Sequence, residues 1–454
     1  MFNLEASVMK RRAAVLVVVV VAAFGLGLAP ARAGDVLVVD DDPDTGRCHA
    51  GHDPFTTIQD AVDEAEPGDT IRVCPGVYEE TVVVATPRLT IKGAKAGLDA
   101  RRRGRRGESE VTGGVELRED LITWDGFLIR DNTAGPGIYT SPQFSGYTIR
   151  NTIFQDNGIG LHLGSSGVCQ TWVRNNLFVA NNEFTQAGAG NGIYASEGTV
   201  RVLIADNRFE RHNGAGILFA DHADRSRIQQ RGVFVKRNQS VDDMTFAAFY
   251  ASSHVHVADN LVAAREGDPE FPGPAAGIFV GARNHHIVVK RNRVTSASGN
   301  GIDVRSSAGD PTLPAAAPEH IQVVKNKVTG VEQHGIEVDA DGVGEYLVRG
   351  NLTLRNRLVG IHFGPETHDN LVAGNTARAN LVFDCQDESH GDGTAGTDNT
   401  WRDNVGPNAS PDDICGLTHD KPEHHKKHRK HRHKKHHKKK RHDRRCGCEL
   451  PWRY

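Results

Sequence analysis

Residues 287–305 read Ile-Val-Val-Lys-Arg-Asn-Arg-Val-Thr-Ser-Ala-Ser-Gly-Asn-Gly-Ile-Asp-Val-Arg and contain the two signatures that decide the fold. The first signature is a short alternating apolar run that ends in an asparagine, here Asn292. It recurs along the chain and ends at Asn151, Asn175, Asn207, Asn238, Asn260, Asn292, Asn326, Asn351, Asn375 and Asn404. Successive asparagines lie 22 to 34 residues apart, a period that is typical of solenoid proteins.

The second signature is a glycine followed by an apolar residue and then by further alternation. It occurs at Gly137, Gly160, Gly192, Gly216, Gly277, Gly301, Gly335 and Gly360, and Phe249 is predicted to stand in for it in the one coil that lacks a Gly-Ile pair. No helical periodicity fills the gaps between the two signatures, which argues against βαβ units. The sequence therefore predicts an all-β, single-stranded, right-handed parallel β-helix of about ten or more coils.

Each signature has a physical reason in such a solenoid. A buried turn leaves backbone groups without partners, and a stacked asparagine side chain can bond to them and to the coils above and below. Glycine permits a tight or left-handed corner before the strand. The alternation predicts that apolar side chains from every coil point inward and stack into one continuous core.

The ends of the solenoid differ from its middle. Residues Thr57–Ala65 show helical spacing of apolar residues, and we expect a helical cap over the first coil within residues 34–110. The repeats then occupy residues 111–384, and residues 385–417 are predicted to form a C-terminal cap. The His-, Lys- and Arg-rich residues 418–454 are predicted to be a disordered tail.

The N-terminus has the organisation of a secretory signal. Three basic residues, Lys10–Arg12, precede the apolar stretch Ala13–Ala29, and Ala31-Arg32-Ala33 fits the small-x-small cleavage rule. We therefore assign residues 1–33 to a signal peptide, with an uncleaved membrane anchor as the alternative, and expect a secreted, cell-surface or periplasmic protein. The mature chain has no further stretch that could span a bilayer. We expect the mature protein to be a monomer.

Export would permit disulfide bonds among the seven cysteines. Their neighbourhood in the sequence suggests that Cys48 pairs with Cys74 near the N-terminal cap, and Cys385 with Cys415 near the C-terminal end. Cys169 falls where an inward or turn residue is expected, which favours a buried side chain over a reactive one.

The formal net charge of −3 hides a strong asymmetry. Residues 419–445 contain 14 Lys and Arg, 3 Asp and Glu and 9 His, so this segment carries +11 and the remainder −14. Such a tail is expected to bind polyanionic surfaces through counterion release, and its histidines could bind transition metals. A solvated tail without a dedicated role is the alternative.

Alternation also predicts which side chains face solvent in the strands that follow each glycine. One predicted outward column begins with an aromatic zone, and exposed rings in a row suit stacking against sugars. We predict substrate binding by the members Tyr139, His162, Tyr194, Tyr250 and Phe279.

The same face then becomes charged on three successive coils, at Asp303, Arg305, Glu337, Asp339 and His362. These are the candidate catalytic residues, because adjacent coils place two carboxylates about 5 Å apart, a spacing suited to glycoside cleavage. Arg305 could hold an acidic sugar. The cofactor is unknown: three carboxylates could bind Ca²⁺, but we assign no metal ligands, and ordinary solvated surface remains an alternative.

The N-terminal part resembles a known group of proteins. Phe55-Thr-Thr-Ile-Gln-Asp-Ala-Val62, Asp69-Thr-Ile-Arg-Val73, Pro75-Gly-Val-Tyr-Glu-Glu80 and Leu89-Thr-Ile-Lys-Gly93 look like the opening of pectin-lyase-like proteins, pectin methylesterases among them. The later coils resemble parallel β-helix repeats of exported bacterial proteins. The resemblance implies the fold over roughly residues 35–415, but no catalytic motif of pectin methylesterases, polygalacturonases or mannuronan epimerases is found.

Three functions follow as hypotheses. The first is binding, with cleavage as an open possibility, of extracellular and acidic polysaccharide; an enzyme of this kind would be a polysaccharide lyase or glycoside hydrolase. The second is a non-catalytic cell-surface or matrix protein that binds glycan. The third is an exported metal-handling protein, suggested by the histidine-rich tail and by β-helix proteins that assist copper enzymes.

Overall fold

The computed structural model describes residues 34–42, 48, 53–102, 104–182, 189–220, 230–263, 276–306, 316–340, 342–343, 345–417, 442–443 and 448–449. The predicted signal peptide lies outside the described residues, and so does the predicted tail apart from two short strands.

Three long parallel sheets form the body of the protein. Between Thr70 and Asp387 the coils contribute one strand to sheet A, then one to sheet B and one to sheet C, and these strands pair with their counterparts in neighbouring coils. Ile302, for example, pairs in register with Ile278 of one neighbouring coil and Ile336 of the other. The predicted fold, a right-handed parallel β-helix, is confirmed.

Sheet A comprises Val36–Val39, Thr70–Val73, Thr90–Lys92, Thr123–Asp125, Thr148–Arg150, Thr171–Arg174, Thr199–Ala205, Gln230–Lys236, Ser252–Ser253, His256–Ala258, Val288–Lys290, Gln322–Val324, Leu347–Arg349, Leu371–Ala373 and Thr400–Arg402. Sheet B comprises Gly76–Tyr78, Ser109–Val111, Leu128–Arg130, Ile153–Gln155, Leu177–Val179, Arg208–Glu210, Gln239–Val241, Leu261–Ala263, Arg293–Thr295, Lys327–Thr329, Leu352–Leu354 and Thr376–Arg378. Sheet C comprises Val82–Val84, Val115–Leu117, Pro136–Thr140, Ile159–His162, Asn191–Ala195, Ala215–Phe219, Thr245–Phe249, Ile278–Val280, Ile302–Arg305, Ile336–Asp339, Val359–Phe363, Phe383–Asp387 and Ala409–Ser410.

A helix, α1, spans Ile58–Glu64 and packs against the first strands of sheets A and C. Its N-terminus is capped by Thr57, whose Oγ1 accepts a hydrogen bond of 3.1 Å from the Asp60 N–H. That α1 acts as a lid on the solenoid stays a prediction. The remaining elements are a 3₁₀ turn at Thr394–Gly396, the parallel pair Gly342–Val343 and Thr367–His368, and the antiparallel pair His442–Asp443 and Cys448–Glu449.

A ladder of buried asparagines runs along one corner of the coils. The Oδ1 of Asn207 accepts from the N–H and Nδ2 of Asn176 at 3.0 and 3.1 Å, and its Nδ2 donates to Asn238 Oδ1 at 3.1 Å. The members are Asn176, Asn207, Asn238, Asn260, Asn292, Asn326, Asn351, Asn375 and Asn404. The prediction was thus wrong at its start: Asn176 replaces Asn175, and Asn151 instead donates to Asp125.

The glycines of the second signature serve close packing between coils. A Cβ on Gly160 would lie 2.5 Å from the carbonyl oxygen of Gly192 and 2.8 Å from Cδ1 of Phe178. Their φ angles lie outside the left-handed region, so the expected left-handed corner was misplaced. That conformation belongs to the residue before each ladder asparagine, namely Asn175, Asp206, Arg237, Asp259, Arg291, Lys325, Gly350, Gly374 and Asp403.

The inward side chains of all three sheets merge into one hydrophobic core that continues along the coils. Aromatic rings from sheet B stack within it: Phe154, Phe178 and Phe209 have successive centroid distances of 4.6 and 4.9 Å and are nearly parallel. Apolar burial on every coil stabilises the solenoid, and each coil depends on its neighbours to cover its own faces.

Two predicted disulfide bonds are confirmed, Cys48–Cys74 and Cys385–Cys415. Cys169 is buried, as expected, and is also disulfide-bonded. In the part of the chain that the structure describes, no helix combines the length and apolarity needed to cross a bilayer.

Candidate functional site

The outward face of sheet C presents one residue per coil in a single row, which we call the outward column. It arises because side chains alternate across each strand: Ile302 and Val304 fill the core, and Asp303 lies between them on the opposite face. Backbone pairing places the members side by side in the order Tyr139, His162, Tyr194, Leu218, Ala248, Phe279, Asp303, Glu337, His362 and Gln386.

The first members of the outward column form an aromatic cluster. The ring of His162 lies between Tyr139 and Tyr194, with centroid distances of 5.3 and 5.2 Å. The hydroxyl of Tyr139 donates a hydrogen bond of 2.9 Å to Glu197 Oε2. Tyr139 and His162 are half-buried, whereas Tyr194 is only 6 % exposed.

Tyr250 is the one predicted member that does not belong to the outward column. Its coil lacks the Gly-Ile pair, and Ala247 rather than Phe249 pairs with the inward Ile278. Ala248 therefore takes the outward position, and the Tyr250 ring lies directly over Gly281, whose added Cβ would be 2.5 Å from the ring. Tyr250 still contacts the column, because its centroid is 5.4 Å from that of Phe279.

The column then becomes charged at Asp303. The Oδ2 of Asp303 accepts from Asn300 Nδ2 at 2.9 Å, and Oδ1 accepts from Arg305 Nε at 2.7 Å. The Nη2 of Arg305 lies 3.9 Å from Glu337 Oε1 on the next coil. Arg305 thus links two carboxylates that are neighbours along the column.

Two histidines share the other oxygen of Glu337. His362 Nδ1 donates to Glu337 Oε2 at 2.9 Å, and His334 Nδ1 lies 3.6 Å from the same atom. The two imidazole rings stack, with centroids 4.6 Å apart and an interplanar angle of 23°. On its far side His362 Nε2 lies 3.5 Å from Glu388 Oε1. We call Asp303, Arg305, His334, Glu337 and His362 the charged cluster.

Burial and neighbouring charges shift the ionisation of this cluster. Burial raises the pKa of Asp303 to about 6, although Arg305 and Asn300 favour its charged form. Burial also lowers the pKa of His334 below its usual value. For His362, burial would lower the pKa, but the hydrogen bond and charge of Glu337 outweigh burial and raise it.

The predicted catalytic residues lie together but are less exposed than expected. Asp303, Glu337 and His362 are only 3 %, 4 % and 8 % exposed. Asp303 is hydrogen-bonded to Arg305, and Glu337 is hydrogen-bonded to His362. Asp339 is exposed and lies in register with Arg305. Arg305 stands between the carboxylates of Asp303 and Glu337, so the three-carboxylate arrangement considered for Ca²⁺ does not form.

Sequence reasoning missed three contributors to this site, Asn300, His334 and Glu388. A usable signal existed for two of them: Asn300 and His334 occupy the same place, directly before the glycine of a Gly-Ile pair, where most coils have an apolar residue. Their contact follows from stacking, since the His334 N–H donates to Asn300 Oδ1 at 3.0 Å. Glu388 follows the strand of the next coil and has no such signature.

A second group of histidines lies on a different corner of the coils. His254, His286 and His320 occupy equivalent left-handed positions, and their rings are 5.0 and 4.7 Å apart. His285 joins this histidine stack, with Nδ1 3.1 Å from that of His286. His256 does not join this stack: the left-handed His254 interrupts the alternation of the strand, and the ring of His256 stacks on Phe234.

Comparison with known proteins agrees with this architecture. A family described as a protein of unknown function (DUF1565), which is a β-helix family, matches residues 41–263. The three parallel sheets of the body extend the same coil pattern to residue 410. The chain is a parallel β-helix protein. No curated protein matches this β-helix protein.

Several solved structures are similar to the β-helix protein. An alginate lyase from Paenibacillus sp. str. FPU-7 is 16 % identical, with 63 % of this chain and 95 % of that chain covered and a TM-score of 0.39. The Family 28 exopolygalacturonase of Yersinia enterocolitica is 10 % identical, with coverages of 84 % and 78 % and a TM-score of 0.43. The catalytic unit of a GH87 alpha-1,3-glucanase from Streptomyces thermodiastaticus strain HF3-3 is 12 % identical, with coverages of 84 % and 70 % and a TM-score of 0.44. At these identities the likeness concerns the fold alone.

Proposed function

We propose that this β-helix protein binds an extended acidic polysaccharide along the outward column and cleaves it at the charged cluster. The observation that carries the proposal is the continuity of the column: Phe279 pairs in register with Asp303, so rings lead directly into charges. Neighbouring coils are about 4.8 Å apart, so a linear polymer lying along the axis would meet a new side chain at each step. Aromatic faces suit the apolar faces of sugar rings.

The preference for an acidic polymer rests on Arg305. Its side chain is 33 % exposed at the point where the aromatic members end, while Asp303 holds its Nε. A guanidinium binds a carboxylate through paired hydrogen bonds. A uronic acid residue is therefore the sugar that this position would recognise.

Cleavage is assigned to the paired carboxylates. Asp303 and Glu337 lie on adjacent strands, a spacing of about 4.8 Å that is close to the separation of two cooperating carboxylates in retaining glycosidases. Asp303 is the candidate proton donor to the leaving oxygen, and its raised pKa supports that role. The assignment is compatible with two reactions, elimination and hydrolysis. Their products distinguish them, because elimination produces an unsaturated end and hydrolysis does not.

A binding protein without cleavage is the second candidate. The ion pairs of the charged cluster favour this candidate. Arg305 donates a hydrogen bond to Asp303 and His362 donates one to Glu337, so both carboxylates already have partners in the protein without polysaccharide. The two candidates share the outward column and differ only in what the charged cluster does.

We place this function outside the cytoplasm. The two disulfides Cys48–Cys74 and Cys385–Cys415 support that placement, because such bonds persist mainly in oxidising compartments. The signal-like residues 1–33 point the same way.

Binding is tested with the full chain against alginate, polygalacturonate and a neutral glucan by calorimetry. Phe279→Ala should weaken binding to the preferred acidic polymer about tenfold, since an aromatic contact contributes about 1 kcal/mol or more. Phe234→Ala is the matched control, because Phe234 is a half-buried aromatic on sheet A. Equal losses in the two variants would overturn the proposed surface.

Cleavage is tested by the appearance of new reducing ends, with ultraviolet absorbance of unsaturated ends as the sign of elimination. Asp303→Asn and Glu337→Gln should retain binding and lose product formation. Activity that survives both changes would contradict the assignment. Binding by the unmodified protein without product from any acidic polymer would establish the second candidate instead.

A further inference from the structure

Three potential metal ligands converge at the charged end of the outward column. One ligand atom each from His334, Glu337 and His362 lies within 4.8 Å of the other two. Glu337 Oε2 is 2.9 Å from His362 Nδ1 and 3.6 Å from His334 Nδ1. Ligands bound at about 2.1 Å in a tetrahedral site are about 3.4 Å apart, so these atoms need little movement to share one ion.

His334 provides an independent reason to expect a ligand. Its Nδ1 is buried and has no hydrogen-bond partner within the described part of the chain. The 3.6 Å contact with Glu337 is too long for a hydrogen bond. A buried nitrogen without a partner calls for an explanation, and an ion between it and the carboxylate would supply one.

We propose that His334, Glu337 and His362 bind a divalent transition metal ion of the Zn²⁺ type. Two imidazole nitrogens and one carboxylate oxygen suit zinc and its first-row neighbours, whereas Ca²⁺ requires six to eight oxygens. Three protein ligands leave a coordination position open, which is typical of catalytic rather than structural sites. This assignment stands on the ligand geometry and does not depend on the polysaccharide proposal; with the ion bound, Glu337 would serve as a ligand and not as the second carboxylate of the proposed cleavage.

The surroundings orient the ligands. Glu388 lies 3.5 Å from His362 Nε2, and Gln386 donates to the same Glu388 oxygen at 2.9 Å. A carboxylate on the far nitrogen of a ligating histidine fixes its ring and increases its basicity. The backbone N–H of His334 is held by Asn300 at 3.0 Å.

Arg305 is compatible with an ion at this point. Its Nη2 lies 3.9 Å from Glu337 Oε1, so Oε2 is left to the two histidines. The guanidinium is otherwise engaged with Asp303 at 2.7 Å. Because Glu337 and His362 are consecutive members of the outward column, a molecule lying along that column could provide the fourth ligand.

The test is a Co²⁺ titration of the full chain after treatment with a chelator, without polysaccharide. A buried site with few ligands gives Co²⁺ intense visible absorption, whereas hydrated or loosely bound Co²⁺ absorbs weakly. We expect one equivalent to produce this absorption in the unmodified protein and Zn²⁺ to abolish it. Glu337→Gln and His362→Ala should each lose the absorption.

The other histidines require a matched control. Residues 419–445 contain 9 His, and the histidine stack contributes more, so total metal uptake is not informative. His286→Ala removes a stacked surface histidine and should retain the intense absorption. Identical spectra for the unmodified protein and both triad variants, or loss of the absorption only in His286→Ala, would overturn the proposal.

Thermal unfolding keeps the test decisive if a variant is less stable. Zn²⁺ should raise the unfolding temperature of the unmodified protein and of His286→Ala by several degrees, because an ion that binds the folded state stabilises it. The midpoints of Glu337→Gln and His362→Ala should not respond. A response of equal size in all four proteins would also refute the site, whatever their affinity for glycans.

Discussion

At the residue scale, the asparagine ladder shows how two adjacent asparagines can take different roles in one corner of a coil. The sequence Trp172-Val-Arg-Asn-Asn176 contains two adjacent asparagines, and the repeat pattern predicted that the first, Asn175, belongs to the ladder. In the structure Asn175 adopts a φ of 56° at the corner, and Asn176 turns its carboxamide into the ladder. Asparagine tolerates the left-handed conformation and also bonds well along a stack, so composition could not choose between the two roles.

The ladder yields a prediction for Asn292→Ala. The change removes the acceptor of the Asn260 N–H and Nδ2, and the donor to Val257 and to Asn326 Oδ1. We expect the free energy of unfolding to fall by about 2–4 kcal/mol, since each buried group left unpaired costs about 1–3 kcal/mol. Denaturant unfolding followed by circular dichroism measures the loss.

Asn408→Ala is the control for that measurement. Its side chain is exposed and donates one hydrogen bond, to the Val382 carbonyl at 2.7 Å. We expect a change of at most about 0.5 kcal/mol, as for most surface substitutions. Equal destabilisation by the two changes would mean that the ladder does not stabilise the fold through its hydrogen bonds.

At the scale of the strand and its corner, the Gly-Ile signature predicted the right strands for the wrong reason. The glycines of this signature allow the backbones of adjacent coils to approach, whereas seven of the nine left-handed corner residues before the ladder asparagines are not glycine. The signature is missing in the strand Thr245–Phe249, and there the predicted register was wrong by two residues. Ala247, and not Phe249, pairs with Ile278, so Tyr250 does not lie in the outward column. Alternation fixes the face of a residue but not its neighbour on the next coil.

The packing role of the glycines predicts the effect of Gly160→Ala. The added methyl group would meet Gly192 and Phe178, so we expect a loss of about 1–3 kcal/mol from overpacking. Gly350→Asp is the control: Gly350 has a φ of 65°, and Asp206 and Asp259 occupy the same corner in other coils. Thermal midpoints should fall clearly for Gly160→Ala and little for Gly350→Asp; the reverse order would contradict this account.

At the scale of the whole molecule, the charge distribution separates an acidic body from a basic tail. The +11 of residues 419–445 opposes −14 elsewhere, and the tail lies outside the described residues apart from residues 442–443 and 448–449. We propose that the tail attaches the protein to anionic surfaces, since Lys and Arg release counterions from polyanions. The net negative charge of the body provides no comparable nonspecific attraction, so this attachment is distinct from the recognition of uronic acid proposed for the outward column.

Removal of the residues after Leu417 tests this attachment. We expect binding to a polyanion without uronic acids, such as polyphosphate, to be lost at low salt, and binding of the full chain to this polymer to weaken steeply as salt is added. Circular dichroism and an intact Cys385–Cys415 bond serve as controls for folding of the shortened chain. Salt-independent binding, or unchanged binding without the tail, would contradict the proposal.

The candidate site was partly predictable for the same reason as the fold. Alternation and period placed Asp303, Arg305, Glu337 and His362 on one face. They could not show that His334 turns its ring toward Glu337, because His334 precedes its strand and lies where alternation no longer applies. Burial of the charged residues was also unpredictable, since it depends on contacts with other coils.

Period and pattern were enough to specify the architecture, because a repeat of short alternating strands can bury its apolar side only by stacking on copies of itself. The disulfide pairs near each end also followed from the chain. The sequence did not show which residue of one coil contacts which residue of the next. The coils differ in length, so packing in the folded protein sets the register between them. The ladder at Asn176, the place of Tyr250 and the convergence of His334, Glu337 and His362 all depend on that register.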